Sequence, residues 1–135
     1  MIVVDTNILA YFYIYGDHSK LVSELFALEP NWNAPALWRS EFRSVLSQYL
    51  RKDILSLDEI MIILQQAESL MMRNEYEISS ALVMQLVASS NCSAYDCEFV
   101  ALAQFLDVPL ITTDKKILQE FPQIAYSIDS FLSNQ

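Results

Sequence analysis

The apolar run Ile2-Val3-Val4 ends directly in Asp5-Thr6-Asn7, and no other junction constrains the chain so strongly. Three β-branched residues leave no room for helical periodicity and read as a short buried strand, so Asp5 stands where that strand leaves its sheet. A second buried strand, Val108-Pro109-Leu110-Ile111-Thr112-Thr113, ends in the same way at Asp114. In open α/β sheets, ligands bind along the rim at the carboxyl ends of the strands. If both strands are parallel members of one sheet, both carboxylates emerge on that rim. An acid at such a point also competes for the role of helix cap. Here Thr6 or Asn7 can cap the helix while Asp5 faces a ligand.

Between these strands the periodicity is helical. Leu21, Val22, Leu25, Phe26 and Leu28 have helical spacing in 19–28, after an apolar and aromatic stretch, 8–15, that turns near Gly16-Asp17. Glu29-Pro30-Asn31 breaks the pattern, Trp32 to Pro35 reads as a short strand, and 36–50 is helical again. Ser56-Leu57-Asp58-Glu59 has the form of a capping box opening a helix that continues from Ile60 to Met72. Tyr76 to Ile78 reads as a strand, with Ser79 or Ser80 capping a helix through Ala88. Ser93-Ala94-Tyr95-Asp96 has capping-box spacing with Asp for Glu and opens a helix through Leu106. Asp114 is followed by a short helix to Phe121, and Ala125 to Ile128 reads as an edge strand before a terminal helix. Strands alternating with helices imply a parallel sheet covered on both faces.

The 135 residues, 53% of them hydrophobic, suffice for one domain, 1–135, with a real core. No apolar stretch reaches the roughly 18 residues a membrane span needs, and the N-terminus lacks the pattern of a secretion signal, so a cytoplasmic protein is expected. Cys92 and Cys97, with His18 the sole histidine, make a poor soft-metal set and read as reduced structural residues. A single glycine, Gly16, removes the glycine-dependent loops that cradle nucleotide phosphates. The formal charge of −9 conflicts with a polyanionic ligand unless bound cations or a local basic patch reverse the field.

Two further acids stand out. Glu41 flanks the apolar face Trp38, Phe42, Val45 and Tyr49, where a surface glutamate would sit opposite it. Asp96 borders the face of Tyr95, Phe99, Leu102 and Leu106, although a first-turn acid also has a purely structural role at a helix N-terminus. Asp5, Glu41, Asp96 and Asp114 brought together would repel, and such a site persists only if protons or cations compensate it. Mg²⁺ or Mn²⁺, hard ions that take oxygen ligands, are the natural compensation, and such an ion activates water and clamps phosphate oxygens. Phosphodiester hydrolysis is the chemistry suggested.

Asp5-Thr6-Asn7, Trp38-Arg39-Ser40-Glu41, Tyr95-Asp96-Cys97-Glu98-Phe99-Val100-Ala101-Leu102-Ala103 and Thr112-Thr113-Asp114-Lys115-Lys116 resemble, in order and spacing, the motifs of PIN-domain nucleases. Within that family the chain is most similar to VapC-type toxins of bacterial and archaeal toxin–antitoxin pairs, over nearly its full length. The resemblance implies a three-layer α/β/α sandwich around a mainly parallel sheet and an Mg²⁺- or Mn²⁺-dependent ribonuclease. Its acidic cluster would be Asp5, Glu41, Asp96 and Asp114, serving as both catalytic residues and metal ligands. The family typically dimerises and is silenced by a small antitoxin protein.

Thr6 and Asn7 are supporting residues of the same motif, and Thr113 would orient the last acid or a water. Glu98 lies two residues, about 200° of helix, from Asp96 and reads as supporting or solvated. Arg39 and Lys115 are the candidate RNA-phosphate contacts, ahead of Arg43 and Lys116. The aromatic cluster Tyr11, Phe12, Tyr13 and Tyr15 exceeds what one small helix buries and suggests a dimer or antitoxin groove. Rival readings are an inactive RNA- or protein-binding module of the same fold and a housekeeping nuclease without an antitoxin. A haloacid-dehalogenase-like phosphatase is disfavoured by Asn7, where that pattern has a second Asp.

Overall fold

Strands β1 (Ile2–Val4), β2 (Trp32–Pro35), β3 (Glu75–Tyr76), β4 (Leu110–Ile111) and β5 (Ala125–Tyr126) form one sheet in the order β3-β2-β1-β4-β5 in the computed structural model, which describes residues 1–135. Every pairing is parallel, with Ile2 opposite Trp32, Val3 opposite Leu110, Ala34 opposite Glu75 and Leu110 opposite Ala125. The central strand is buried along its whole length, which is why it reads as an unbroken apolar run rather than an alternating one. Asn33 is the polar exception inside β2. Its amide donates to Ile2 O and Asn31 O, both at 3.1 Å, and its Oδ1 accepts from Tyr76 Oη at 3.2 Å, so no buried polar atom of Asn33 lacks a partner.

The connections place helices on both faces, as parallel crossovers require. On one face α1 (Thr6–Tyr13) packs against α2 (Ser19–Leu28), α3 (Trp38–Arg51) and α4 (Leu57–Met71). On the other, α5 (Ser80–Ala88) packs on α6 (Ala94–Leu106), which lies against β1, β2 and β4. Six residues of α6, Cys97 and Phe99 to Ala103, are buried, as expected of a helix enclosed between a sheet and another helix. The chain closes with α7 (Lys115–Glu120), β5 and α8 (Ile128–Ser133). No helix is long and apolar enough to cross a membrane.

Three strands are shorter than their sequence pattern suggests. β4 pairs only over Leu110–Ile111, where β1 and β5 both reach it. β3 comprises Glu75–Tyr76 rather than 76–78, because its partner β2 ends at Pro35 and the chain turns into the cap that Ser79 makes at Leu82 N. β5 stops at Tyr126, because Ser127 Oγ accepts from Ser130 N and opens α8 at Ile128. The Ser56–Glu59 capping box is complete: Glu59 N donates to Ser56 Oγ at 3.1 Å and Ser56 N to Glu59 Oε1 at 2.9 Å. Cys92 and Cys97 are buried free thiols, and burial pushes the Cys92 thiol up to about 11.

Much of the aromatic cluster is consumed by packing. Phe12 stacks on Phe26 and meets Trp32 edge-on, and Tyr13 meets Phe42, while Tyr11 stacks on His18. Tyr15 is left 96% exposed.

The strand order has one consequence for function. From β1 the chain moves outward to β2 and β3 on one side, then returns to β4 beside β1 and continues to β5 on the other. The crevice beyond the carboxyl ends of β1 and β4 is therefore the topological switch point, where doubly wound sheets bind their ligands.

Candidate active site

Asp5 and Asp114 lie at this switch point, and two further helices bring acids to it. Asp5 is the N-cap of α1, Asp114 the N-cap of α7, and Glu41 and Asp96 lie in the first turns of α3 and α6. All four line one open cavity of about 300 Å³ together with Thr6, Asn7, Ser44 and Val45. Four helix N-termini thus face a common space, and their partial positive charges offset part of the repulsion among the carboxylates.

Asp5 is held from both sides. Its Oδ1 accepts from Thr6 N at 2.7 Å and its Oδ2 from Thr112 Oγ1 at 2.7 Å, and the residue is 9% exposed. The helix is thus capped by Asp5 itself rather than by Thr6 or Asn7, because the extended backbone at Asp5 turns its carboxylate back onto the first helical N–H. The Thr6 hydroxyl, not needed as a cap, donates from Oγ1 to Glu41 Oε1 at 2.7 Å. Thr112 serves two acids, since its Oγ1 also accepts from Asp114 N at 3.0 Å. Asp114 Oδ1 in turn accepts from Lys116 N and Ile117 N. Two threonines, one after each central strand, therefore connect three of the four acids.

Burial is the largest influence on Asp5, raising its pKa against the hydrogen bonds from Thr112 and Thr6, and the charges of Asp96 and Asp114 raise it further. Glu41 is raised first by burial, is held down by its bond from Thr6, and is raised again by Asp5, Asp96 and Glu98. Asp96 is raised by burial and then by Asp114, while hydrogen bonding to Ser93 and the Lys116 ammonium lower it. No arginine or lysine pairs with any of the four. The ion pairs of the molecule join the Met1 ammonium to Glu29, and Arg39 to Glu68 and Glu75.

The donor set is entirely carboxylate and hydroxyl oxygen, which suits a hard divalent cation and not a soft one. As the side chains stand, no three acids converge on one point closely enough to hold an ion. Unpaired like charges stay apart, and both oxygens of Asp5 are committed to hydrogen bonds. The chemistry of the donors fits Mg²⁺ or Mn²⁺, with Glu41 Oε2 and Asp114 Oδ2 free of protein hydrogen bonds.

Not every expected residue joins the cavity. Thr113 is not among its lining residues, and its Oγ1 lies 3.5 Å from Tyr11 Oη. Glu98 is half-buried outside the lining, with burial raising its pKa, and touches the cluster through its charge on Glu41. Arg39, a candidate phosphate contact, does not line the cavity and is engaged by two acids. Its Nε and Nη2 each donate to Glu75 at 2.7 Å and its Nη1 lies 3.1 Å from Glu68, a fork that the sequence spacing of 36 residues gives no means of seeing. Lys115 is exposed, and Lys116 is the cation whose field reaches Asp96. Thr112, which bonds two of the acids, is the contact not read from the sequence, because its neighbour Thr113 stands next to the acid. Pairing Val4 with Ile111 sets Thr112 beside Asp5, a register that aligning the two strand ends at their acids could have suggested.

A second cleft, about 350 Å³, lies at the opposite ends of β4 and β5 and is lined by Val108, Pro109 and Ile124 with Asp107 its only acid. It gathers no set of reactive groups.

A parallel sheet wound in both directions from its first strand, with acids from four helix starts at the switch point, defines the class: a small α/β protein with a carboxylate-lined crevice. The PIN domain matches residues 2–123, and the chain belongs to the PIN domain family, a family of nucleases that generally depend on divalent metal. No curated protein matches the chain in sequence. Among solved structures it is similar to PAE2754 from Pyrobaculum aerophilum, with a TM-score of 0.77 and 15% identity over 98% of this chain and 94% of that one. It is similar as well to FitAcB from Neisseria gonorrhoeae, with a TM-score of 0.76 and 14% identity over 95% and 98% of the two chains. A toxin–antitoxin complex from Klebsiella pneumoniae gives 0.70 and 18% over 95% and 98%. At such identities the likeness speaks for the fold.

Proposed function

We propose that the protein is an Mg²⁺- or Mn²⁺-dependent ribonuclease acting as a single PIN domain, and the toxin of a type II toxin–antitoxin pair. The observation that carries this reading is the meeting of Asp5, Glu41, Asp96 and Asp114 around one cavity with no basic side chain paired to any of them.

Asp5 and Asp96 would be the principal ligands, with Glu41 and Asp114 completing the acidic cluster and positioning the attacking water. A divalent cation held there supplies Lewis acidity toward phosphate oxygens and lowers the cost of charge on the departing oxygen. The chain's own residues do the positioning. Thr112 and Thr6 fix Asp5 from opposite sides, so its carboxylate does not reorganise during the reaction. Glu41, half-buried and with Oε2 free of protein partners, accepts the proton of a water that attacks the phosphorus in line. The P–O3′ bond breaks on the opposite side, and the departing 3′ oxygen takes a proton from solvent to leave as a hydroxyl. Lys116, whose charge reaches Asp96, and its exposed neighbour Lys115 offer positive charge for flanking phosphates.

A protein partner is supported by an unpartnered apolar face on α4, where Leu57, Met61 and Ile62 are each more than half exposed. One structure of similar fold was solved as a toxin–antitoxin complex, which favours an antitoxin as that partner, alongside self-association as a dimer. The decisive experiment is cleavage of RNA by the purified chain with Mg²⁺ or Mn²⁺, compared with EDTA and with Asp5→Asn. Cleavage that persists undiminished in the variant refutes the assignment.

A further inference from the structure

Beside the carboxylate cavity lies a second concavity of about 310 Å³, and the two share Asn7 and Val45 in their walls. Its character is different. Aromatic rings of Tyr11, Tyr15, His18 and Tyr49 line it, with the amides of Asn7 and Gln48. No lysine or arginine contributes, and the only charged residue is Asp17. Tyr11 links the two spaces: its Oη lies 3.5 Å from Thr113 Oγ1, next to Asp114, while its ring stacks on His18 with centroids 4.0 Å apart and planes 20° from parallel.

A phosphate has no partner in such a groove, and an acidic chain would repel it. A neutral planar heterocycle suits it. Aromatic faces stack on any base, and the amides of Asn7 and Gln48 offer both donors and acceptors to a base edge. We propose that this groove is a base-binding subsite, taking one unpaired nucleobase of single-stranded RNA adjacent to the phosphate placed among the carboxylates. The inference rests on the nuclease reading for its substrate and adds a selectivity to it. In duplex RNA the bases are stacked on each other with their edges paired, so only an unpaired base can enter. Tyr15, 96% exposed yet part of this wall, is the ring positioned to close over such a base. His18, also exposed, forms a wall with Tyr11 behind it.

The sole histidine makes the groove directly observable, because its ring protons give one pair of NMR signals. Adenosine, guanosine, cytidine and uridine, with ribose as control, are titrated into the full chain without divalent metal. The expected result is that His18 signals move with at least one nucleoside and not with ribose, and that Tyr15→Ala weakens this binding about tenfold, in line with the worth of one stacked base. With Mn²⁺, Tyr15→Ala should raise KM for single-stranded RNA by a similar factor and leave kcat unchanged. His18 signals that ignore all four nucleosides, respond equally to ribose, or move only with protein concentration, as a second copy covering the groove would cause, overturn the proposal. The two readings fail separately: cleavage sensitive to Asp5→Asn but indifferent to Tyr15→Ala removes the subsite alone, and nucleoside binding without any cleavage removes the nuclease alone.

Discussion

Thr112 Oγ1 donates to Asp5 Oδ2 across 2.7 Å, joining residues 107 positions apart in the sequence at the ends of the two central strands. The same oxygen accepts from Asp114 N, so one fully buried hydroxyl sets the positions of two of the four acids. Thr112→Val keeps the shape and removes both bonds, leaving Asp114 N without its acceptor and Asp5 with a lone pair unsatisfied. Stability should fall by about 1–3 kcal/mol in urea denaturation, and RNA cleavage should fall with it. Thr112→Ser retains the hydroxyl and should restore most of the cleavage, which a purely volumetric role for the side chain does not predict.

Asp5→Asn should separate stability from activity. It removes a charge that burial and two neighbouring acids disfavour, while Thr112 Oγ1 can turn to accept from the new amide. In EDTA at pH 7.5 the variant should be at least as stable as the parent. Its metal-dependent cleavage should drop at least about a hundredfold, the scale of losing one electrostatic element of a site. A variant that unfolds at lower urea while keeping its cleavage rate contradicts both halves of the expectation.

Divalent metal should stabilise the parent chain by mass action, by about 2.7 kcal/mol at a hundred times its dissociation constant. A thermal scan with and without Mn²⁺ reads this as a rise in Tm that Asp5→Asn abolishes. Equal shifts in parent and variant would place the ion elsewhere.

The pH dependence without metal follows from the raised carboxyls. Asp5 and Asp96 lie above their ordinary 3.8 and Glu41 above its ordinary 4.5, each principally through burial. Because the folded state holds these protons more tightly than the unfolded chain, their contribution is complete below the ordinary values and is lost as pH rises through the raised ones. In EDTA, Tm should therefore increase as pH is lowered from 7.5 to 5. Saturating Mn²⁺ should flatten or reverse that trend, since protons then compete with the ion. A Tm that falls on acidification to pH 5 in EDTA speaks against a protonatable cluster.

Phosphate recognition should depend on Lys116 and not on Arg39. Arg39→Gln should leave RNA affinity unchanged and cost under about 1 kcal/mol of stability, because its fork with Glu75 is partly solvent-screened. Lys116→Gln should weaken binding across sequences and lower the dependence of log affinity on log salt concentration by about one unit. Filter binding over a salt series distinguishes the two.

The local grammar of the chain was legible in its sequence. The unbroken Ile2-Val3-Val4, the Ser56–Glu59 box and the helical spacing of 19–28 each depend on neighbours a few residues away, and the folded chain keeps them. Strand ends were less legible: the hydrophobic run 108–113 continues past the two residues that pair, because pairing ends where the partner strand ends and not where apolar residues do. Asp5 and Asp114 could be singled out from their positions at strand ends, Asp96 from the start of its helix, and Glu41 from its place on the flank of an apolar helix face. The bonds that tie Glu41 to Thr6 and Asp5 to Thr112 could not, since those run over separations of 35 and 107 residues.

What the sequence determined by itself was the alternation of strands and helices and the kind of chemistry its acids allow, because both follow from residue type and short-range spacing. The tertiary structure decided the rest. It made Thr112 the partner of Asp5, gave Arg39 to Glu75 and Glu68, and set the aromatic groove against the carboxylate cavity. These choices depend on strand register and on which helix faces meet across the sheet, and a directional contact of 2.7 Å is fixed only when both partners have been brought to their places by packing elsewhere in the fold.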